Sequence, residues 1–228
     1  GVTNMVKFGI VQAPVMLGLA LILALLLDST LARARGAFRI AIYLPYAVPS
    51  VIAATIWGYL YGPAFGPISQ LAQYLNLPVP PFLSESWMIF SIANIVTWEY
   101  VGYNMIIMFA ALQAVPRELE DAASIDGAGP IAFAFHVKIP LIRPAILLTA
   151  IFSIIGTFQL FNEPMIMKAL SPSVIGNHFT PNIYSYTLSF INIEYNYAAA
   201  VSFVIGLIVA VISYTFMFST RDRAEDRT

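Results

Sequence analysis

The chain has 228 residues, of which 59% are apolar and 10% charged; soluble domains run roughly 45–50% and 25%. So few charged side chains cannot coat that much apolar surface, which excludes a water-soluble globule, and the same composition excludes disorder. A net charge of −1 excludes a polyanion binder driven by bulk charge, so no nucleic-acid partner is expected, and the lack of cysteine excludes disulfides, iron–sulfur clusters and thiolate zinc.

A bilayer core of about 30 Å takes roughly 20 apolar residues in a helix. Residues 8–27 form the first uncharged run, and Arg33, Arg35 and Arg39 follow it. Residues 40–60 form the second, with Pro45 and Pro49 expected to kink it, either as part of a gate or as ordinary membrane-helix prolines. Gly62, Pro63, Gly66 and Pro67 break this run at the surface; a short helix is predicted over 68–75, stopped by Pro78, Pro80 and Pro81. The third run, 87–112, carries Glu99. After the loop 116–144 comes the fourth run, 145–162, which reaches Met167 if Glu163 is admitted. Residues 171–196 are polar and aromatic, with Tyr184, Tyr186 and Tyr195, and read as an interfacial aromatic belt or as a docking face. The fifth run is 197–219. These runs are continuous rather than alternating, so the predicted fold class is all-α: a polytopic membrane helical bundle of five spans, one domain over 1–228. His136 and His178 lie far apart, and no metal site is expected.

The basic residues set the orientation. Arg33, Arg35, Arg39, Arg117, Lys138, Arg143, Arg221, Arg223 and Arg227 fall on one side, against Lys7 and Lys168 on the other. This asymmetry places the loop 116–144 and the C-terminus in the cytoplasm, and the loops 62–86 and 168–196 outside. Five spans then put the N-terminus outside with no signal peptide to carry it there, so at least one further helix is expected upstream; the other reading is a five-helix protein with its short tail translocated.

The loop 116–144 has helix grammar. Pro116 suits a first helical position, and Glu118, Glu120 and Asp121 suit the positive end of the helix dipole. Leu119, Ala122 and Ala123 share a face, and Gly127 is suited to the left-handed conformation that ends a helix. Gly129 and Pro130 start a second short segment, which Pro140 is expected to close. Two short helices with a bend and small residues have the form of an element inserted into a partner's groove. The other reading, a helix lying on the membrane, is disfavoured by the acidic residues.

Here the sequence resembles a family. Asp121-Ala122-Ala123-Ser124-Ile125-Asp126-Gly127-Ala128, followed after nine residues by Val137-Lys138-Ile139-Pro140, is similar to the "EAA" loop of bacterial ABC-importer permeases. Asp121 stands where that pattern has Glu, Val137 where it has Ile, and Ile139 where it has Leu. The Leu112-Gln113-Ala114-Val115-Pro116 stretch upstream and Arg143-Pro144 downstream resemble the carbohydrate-uptake branch. Phe158-Gln159-Leu160-Phe161-Asn162-Glu163-Pro164 resembles its maltose-permease-type subunit. The resemblance covers nearly the whole chain. It implies a type I ABC importer transmembrane domain of six or more spans in a bacterial or archaeal cytoplasmic membrane. It also implies that Glu120, Asp121, Ala122, Ala123, Asp126, Gly127, Ala128 and Pro140 couple to the ATPase. The partners it implies are a second permease subunit forming a heterodimer, two ATP-binding subunits and an extracytoplasmic solute-binding protein. No cofactor is expected on this chain itself. A P-loop ends in Gly-Lys-Ser/Thr, and Lys7, Lys138 and Lys168 follow Val6, Val137 and Met167; ATP and magnesium belong to a partner, and the chain is not an enzyme.

Charged groups in a span usually face a cavity or a partner. Glu99 and Tyr103 share a face of the third span, beside Tyr100 and Asn104; Gly156, Gln159, Leu160 and Glu163 are spaced as one helical stripe on the fourth. Carboxylates, amides and hydroxyls match sugar hydroxyls, and aromatic rings match the apolar sugar face. The resemblance adds substrate contact for Glu99, Tyr100, Tyr103, Gln159, Leu160 and Glu163. The competing reading places both glutamates at the outer interface, hydrated or paired with Lys168. Trp98 is a substrate contact or an interfacial anchor.

The function expected is translocation of a sugar, a di- or oligosaccharide, into the cytoplasm by the permease of an ATP-driven importer. A stand-alone ion-coupled transporter would leave the small-residue loop unexplained. An intramembrane enzyme would rest on Glu99 and Glu163 with no nucleophile beside them. Within the importer class, a glycerol phosphate is the alternative substrate, disfavoured by the few basic residues in the spans.

Overall fold

The structure is a computed structural model describing residues 1–29 and 34–225, with side chains described up to Phe218. Among the described residues it is helical throughout, without strands. Of the orientation-setting residues, Arg33 and Arg227 lie outside the described residues, as do the side chains of Arg221 and Arg223.

Helix α1 (Val2–Asp28) runs the height of the molecule against α5 (Met88–Leu112). Close approach comes from Ala20 and Ala24, both fully buried one helical turn apart, which leave room for Met105 and Met108. The apolar run 40–60 is not one helix. It divides into α2 (Arg35–Tyr43), a 3-10 turn (Leu44–Ala47) and α3 (Ser50–Leu60), and the two halves meet at 98°. Pro45 is the second residue of the 3-10 turn and Pro49 precedes α3, so neither offers an amide to carry the helix through, and the expected kink becomes a break. Helix α4 (Pro67–Tyr74) forms where the short helix was predicted.

The loop after α5 folds into α6 (Arg117–Ile125), α7 (Pro130–Phe133), a π-helical turn (Ala134–Lys138) and α8 (Ile139–Leu141). Pro116 sits one residue before α6 rather than at its first position. Pro140 does not close the second segment. It lies in the first turn of α8, where no amide is needed, and the wide π-helical turn accommodates its ring. The chain instead turns at Ile142, 67° into α9 (Arg143–Phe158).

The fourth run also breaks. α9 ends at Phe158, and α10 (Asn162–Leu170) starts afresh, packing on α3. Pro164 and the acidic Glu163 in its first turn favour a new helix start over continuation. Helix α11 (Pro181–Phe190), not expected from the sequence, occupies part of 171–196 and packs on α12 (Tyr195–Glu225). The signal was present: Thr180 caps it by accepting from the Ile183 amide at 3.2 Å, ahead of Pro181 at the first helical position.

Among the described residues, three helices are unbroken and apolar enough to span a bilayer, and the count reaches the expected five only when each bent pair is one span. Two apolar clusters stack along the bundle. One, around Phe8, Ile92, Ile95 and Met167, lies away from the α6–α8 loop; the other, around Ala24, Met108, Leu112 and Ile142, lies next to it. Between them, at the height of Gln12 and Asn104, the interior turns polar.

Candidate functional site

That polar layer opens into a cavity of about 360 Å3, within the range of small-ligand sites. Five parts of the chain build it, one of them α9, which contributes Phe152, Ser153, Ile155, Gly156 and Thr157. α1 contributes Phe8, Gln12 and Met16; the break between α2 and α3 contributes Tyr46 and Ser50. α5 contributes Tyr100, Tyr103 and Asn104; the break between α9 and α10 contributes Gln159, Leu160, Phe161, Asn162 and Glu163.

Both breaks face this space, as the bilayer requires: irregular backbone at membrane depth is tolerated where it is buried in protein or lines a cavity. The freed carbonyls of the second break are met by α11, whose Asn182 donates to Phe158 O at 2.7 Å and Leu160 O at 3.4 Å. Asn162 donates to Ser50 Oγ at 2.8 Å and so ties the two breaks together. On α9, Thr149, Ser153 and Thr157 repeat every four residues, each hydroxyl bonded back to a carbonyl of the preceding turn. This gives the wall beside the cavity hydroxyl groups without orphaned donors.

Aromatic rings form one side. Tyr46 stacks on Tyr103 with centroids 4.8 Å apart and planes 19° from parallel, and meets Tyr100 edge-on at 5.7 Å. Asn104, 3% exposed, donates to Tyr100 O at 2.9 Å while its Oδ1 has no partner. Gln12 is equally buried, its amide directed at Met16 Sδ.

Of the residues singled out from sequence, Tyr100, Tyr103, Gln159, Leu160 and Glu163 line this one cavity. They do so without the expected continuous stripe, because Gln159 and Leu160 lie in the break and Glu163 on the next helix. Glu99 is 3% exposed and lies off the cavity wall, near Glu163, and its Oε2 has no hydrogen-bond partner. Both glutamates are buried within the protein, Glu163 at 6% exposed, and Lys168 donates to Asn177. Trp98 also lies off the cavity and packs edge-on to Trp57 at 6.0 Å. Sequence reasoning missed Gln12, Met16, Tyr46 and Ser50. For the last two, the two flanking prolines were the available signal.

The loop is the second site. α6 buries none of its residues, and Glu120, Asp121, Ala122, Asp126, Gly127 and Pro140 are exposed, with Ala123 and Ala128 half-buried. Gly127 takes φ +79°, the left-handed conformation expected of it, and the chain turns there into α7. Ile125, Ile131 and Phe135 stand 87%, 76% and 64% exposed around it, an apolar face at the end of the bundle.

A bundle of broken apolar helices around a cavity with polar groups in its wall, with an exposed two-helix elbow at one end, is an arrangement suited to a solute permease. Over residues 16–222 the chain matches, and it belongs to, the family of binding-protein-dependent transport system inner membrane components, the membrane permeases of ABC importers. It is 36% identical over 223 residues to the lactose transport system permease protein LacF of Rhizobium radiobacter, covering 96% of this chain and 75% of that one. It is 28% identical over 220 residues to the arabinooligosaccharides transport system permease protein AraP of Halalkalibacterium halodurans, covering 95% and 69%. In fold it matches a chain of a bacterial alginate ABC transporter crystallised with an alginate-bound periplasmic protein, with TM-score 0.88 at 19% identity over 96% of this chain and 77% of that one.

Proposed function

We propose that this chain is the permease through which an ABC importer moves a neutral di- or oligosaccharide into the cytoplasm, and that the 360 Å3 cavity is its sugar site. The supporting observation is the chemistry of the wall. It combines tyrosine rings, amides from Gln12, Asn104, Gln159 and Asn162, hydroxyls and the Glu163 carboxyl, and it contains no Lys or Arg. Amides and carboxyls bond sugar hydroxyls, and rings cover the apolar sugar face. A phosphate substrate calls for cationic donors, and neither Lys nor Arg lines this wall. The relatives for lactose and arabino-oligosaccharides support the same substrate class.

In this reading the loop 116–144 is the coupling element. α6, turned at Gly127, inserts into a cleft of an ATP-hydrolysing subunit through Glu120, Asp121, Ala122 and Ala123, with Asp126, Ala128 and Pro140 shaping the elbow. ATP with magnesium is held by that partner. The loop and the C-terminus lie in the cytoplasm, and a solute-binding protein delivers sugar at the opposite end. The apolar flank of α12, whose most apolar window buries nothing against the rest of the chain, faces lipid and a second permease subunit. Two such subunits rock between inward-open and outward-open states.

The test is uptake into proteoliposomes by the assembled importer, offered lactose, an arabino-oligosaccharide and sn-glycerol 3-phosphate. The expected result is ATP-dependent uptake of a neutral sugar, insensitive to a proton ionophore. Preference for the phosphate, or uptake without the ATPase, overturns the reading.

A further inference from the structure

The loop end of the bundle carries a charged knot, apart from the cavity and from the exposed residues of the elbow. Asp28 is the last residue of α1, where the helix dipole presents its negative end and a lone carboxylate is disfavoured. Two donors from distant parts of the chain meet it. Lys138 Nζ lies 2.6 Å from Oδ2, and Gln113 Nε2 donates to Oδ1 at 2.6 Å. The Lys138 and Asp28 side chains are only 15% and 9% exposed, so salt screens the pair far less than a surface pair. Phe133 holds the lysine from below, its ring centroid 5.2 Å from Nζ.

Each of these residues ends an element. Asp28 ends α1, Gln113 caps α5, and Lys138 ends the π-helical turn between α7 and α8. Directly inside the knot, Leu27, Leu112 and Ile142 pack together, 6%, 2% and 2% exposed. Close-packed side chains transmit displacement rather than absorb it. Without the knot, the chain itself joins the loop to α5 and α9 alone, and α1 is reached only through side-chain packing. With it, Lys138 also grips α1. Helices α1 and α5 carry Gln12 and Tyr103, on two walls of the cavity.

We infer that the Asp28–Lys138 pair, steadied by Gln113, is the tie that carries displacement of the coupling loop to α1, making Asp28 and Lys138 positioning residues for transport. The inference rests on the proposed role of the loop. The tie stays closed while the loop moves, so the α1 wall follows it.

The experiment uses the assembled importer. Because the chain has no cysteine, Gln12→Cys on α1 and Gly156→Cys on α9 each introduce one thiol at the cavity. Labelling by a water-soluble maleimide is measured without nucleotide and after trapping with ATP and vanadate. A change of about fivefold or more at both positions is expected with the native knot. Asp28→Asn and Lys138→Met are expected to flatten the change at Gln12→Cys while leaving that at Gly156→Cys. The exchange Asp28→Lys with Lys138→Asp is expected to restore it. If the single variants fail to assemble, the exchange decides: an assembled exchange variant with a responsive α1 probe supports the tie, and one with a silent probe overturns it. A fully responsive α1 probe in Asp28→Asn and Lys138→Met overturns the tie; the loop's role then stands provided Gly127→Arg silences both probes. If Gly127→Arg leaves both probes responsive, the coupling reading falls and the tie with it.

Discussion

Gly102→Ala is expected to damage the transporter although it adds a single methyl group far from the loop. Gly102 lies on α5 where α2 crosses it, and a Cβ there would fall inside the contact distance of the Ile42 carbonyl and 2.8 Å from Tyr43 Cα. Carbon atoms rest about 3.5–4.0 Å apart, so Tyr43 must retreat by at least about 0.7 Å, and Ile42 by more. The obstacle is backbone, which cannot rotate away as a side chain would. The displaced segment leads into the 3-10 turn carrying Tyr46, whose stack on Tyr103 forms the aromatic side of the cavity. Overpacking of this kind costs about 1–3 kcal/mol, which for a chain of this size corresponds to a melting shift of very roughly 2–12 °C. The assay is thermal unfolding of the purified protein in detergent together with sugar uptake. Gly18→Ala on α1 is the control: nothing lies within 4 Å of an added Cβ, and the change is expected to be neutral or stabilising by about 0.5–1 kcal/mol. A Gly102→Ala variant that melts with the native protein and transports normally would refute the claim that α2 and α5 meet backbone to backbone.

Two further substitutions test the sites. Gly127→Arg places a bulky L-residue at φ +79°, at a conformational cost of about 1–2 kcal/mol, and puts a long side chain in the elbow. Sugar-stimulated ATP hydrolysis by the complex is expected to be lost, and full stimulation would remove the loop from the mechanism. Glu163→Leu removes a nearly buried carboxyl from the cavity. Removing one partner of a buried hydrogen bond costs about 1–3 kcal/mol, so the apparent sugar affinity is expected to weaken roughly 5-fold or more in a concentration-dependent uptake assay. Unchanged affinity would withdraw Glu163 from the sugar site.

Much of this was legible in the sequence because local rules governed it. The unbroken apolar runs gave α1, α5 and α12, and the elbow was readable from its acidic first turn, its alanines and Gly127. What escaped is directional or long-range. Hydropathy is blind to where a helix points, so residues 40–60 read as one span although Pro45 and Pro49 turn it by 98°. Gln159 and Glu163 were found by type but assigned to one helical face. The break between α9 and α10 depends on Asn182, some twenty residues further on, to satisfy the opened carbonyls. Gln12 reads as an ordinary polar residue in a first span, and only packing of α1 along α5 brings it to Asn104 and the cavity. The Asp28–Lys138 pair joins residues 110 apart and has no local signature.

In the proposed function, sugar occupies the cavity between the two helix breaks. The most direct measurement is protection of Gln159→Cys, a single thiol in an otherwise cysteine-free chain at an exposed position of the cavity wall. In the assembled importer, the sugar it takes up, present at about ten times its dissociation constant, is expected to slow maleimide labelling about tenfold. Ile125→Cys, on the 87% exposed elbow position, is expected to label equally with and without sugar. Labelling of Gln159→Cys at the same rate in the presence and absence of sugar would contradict the account.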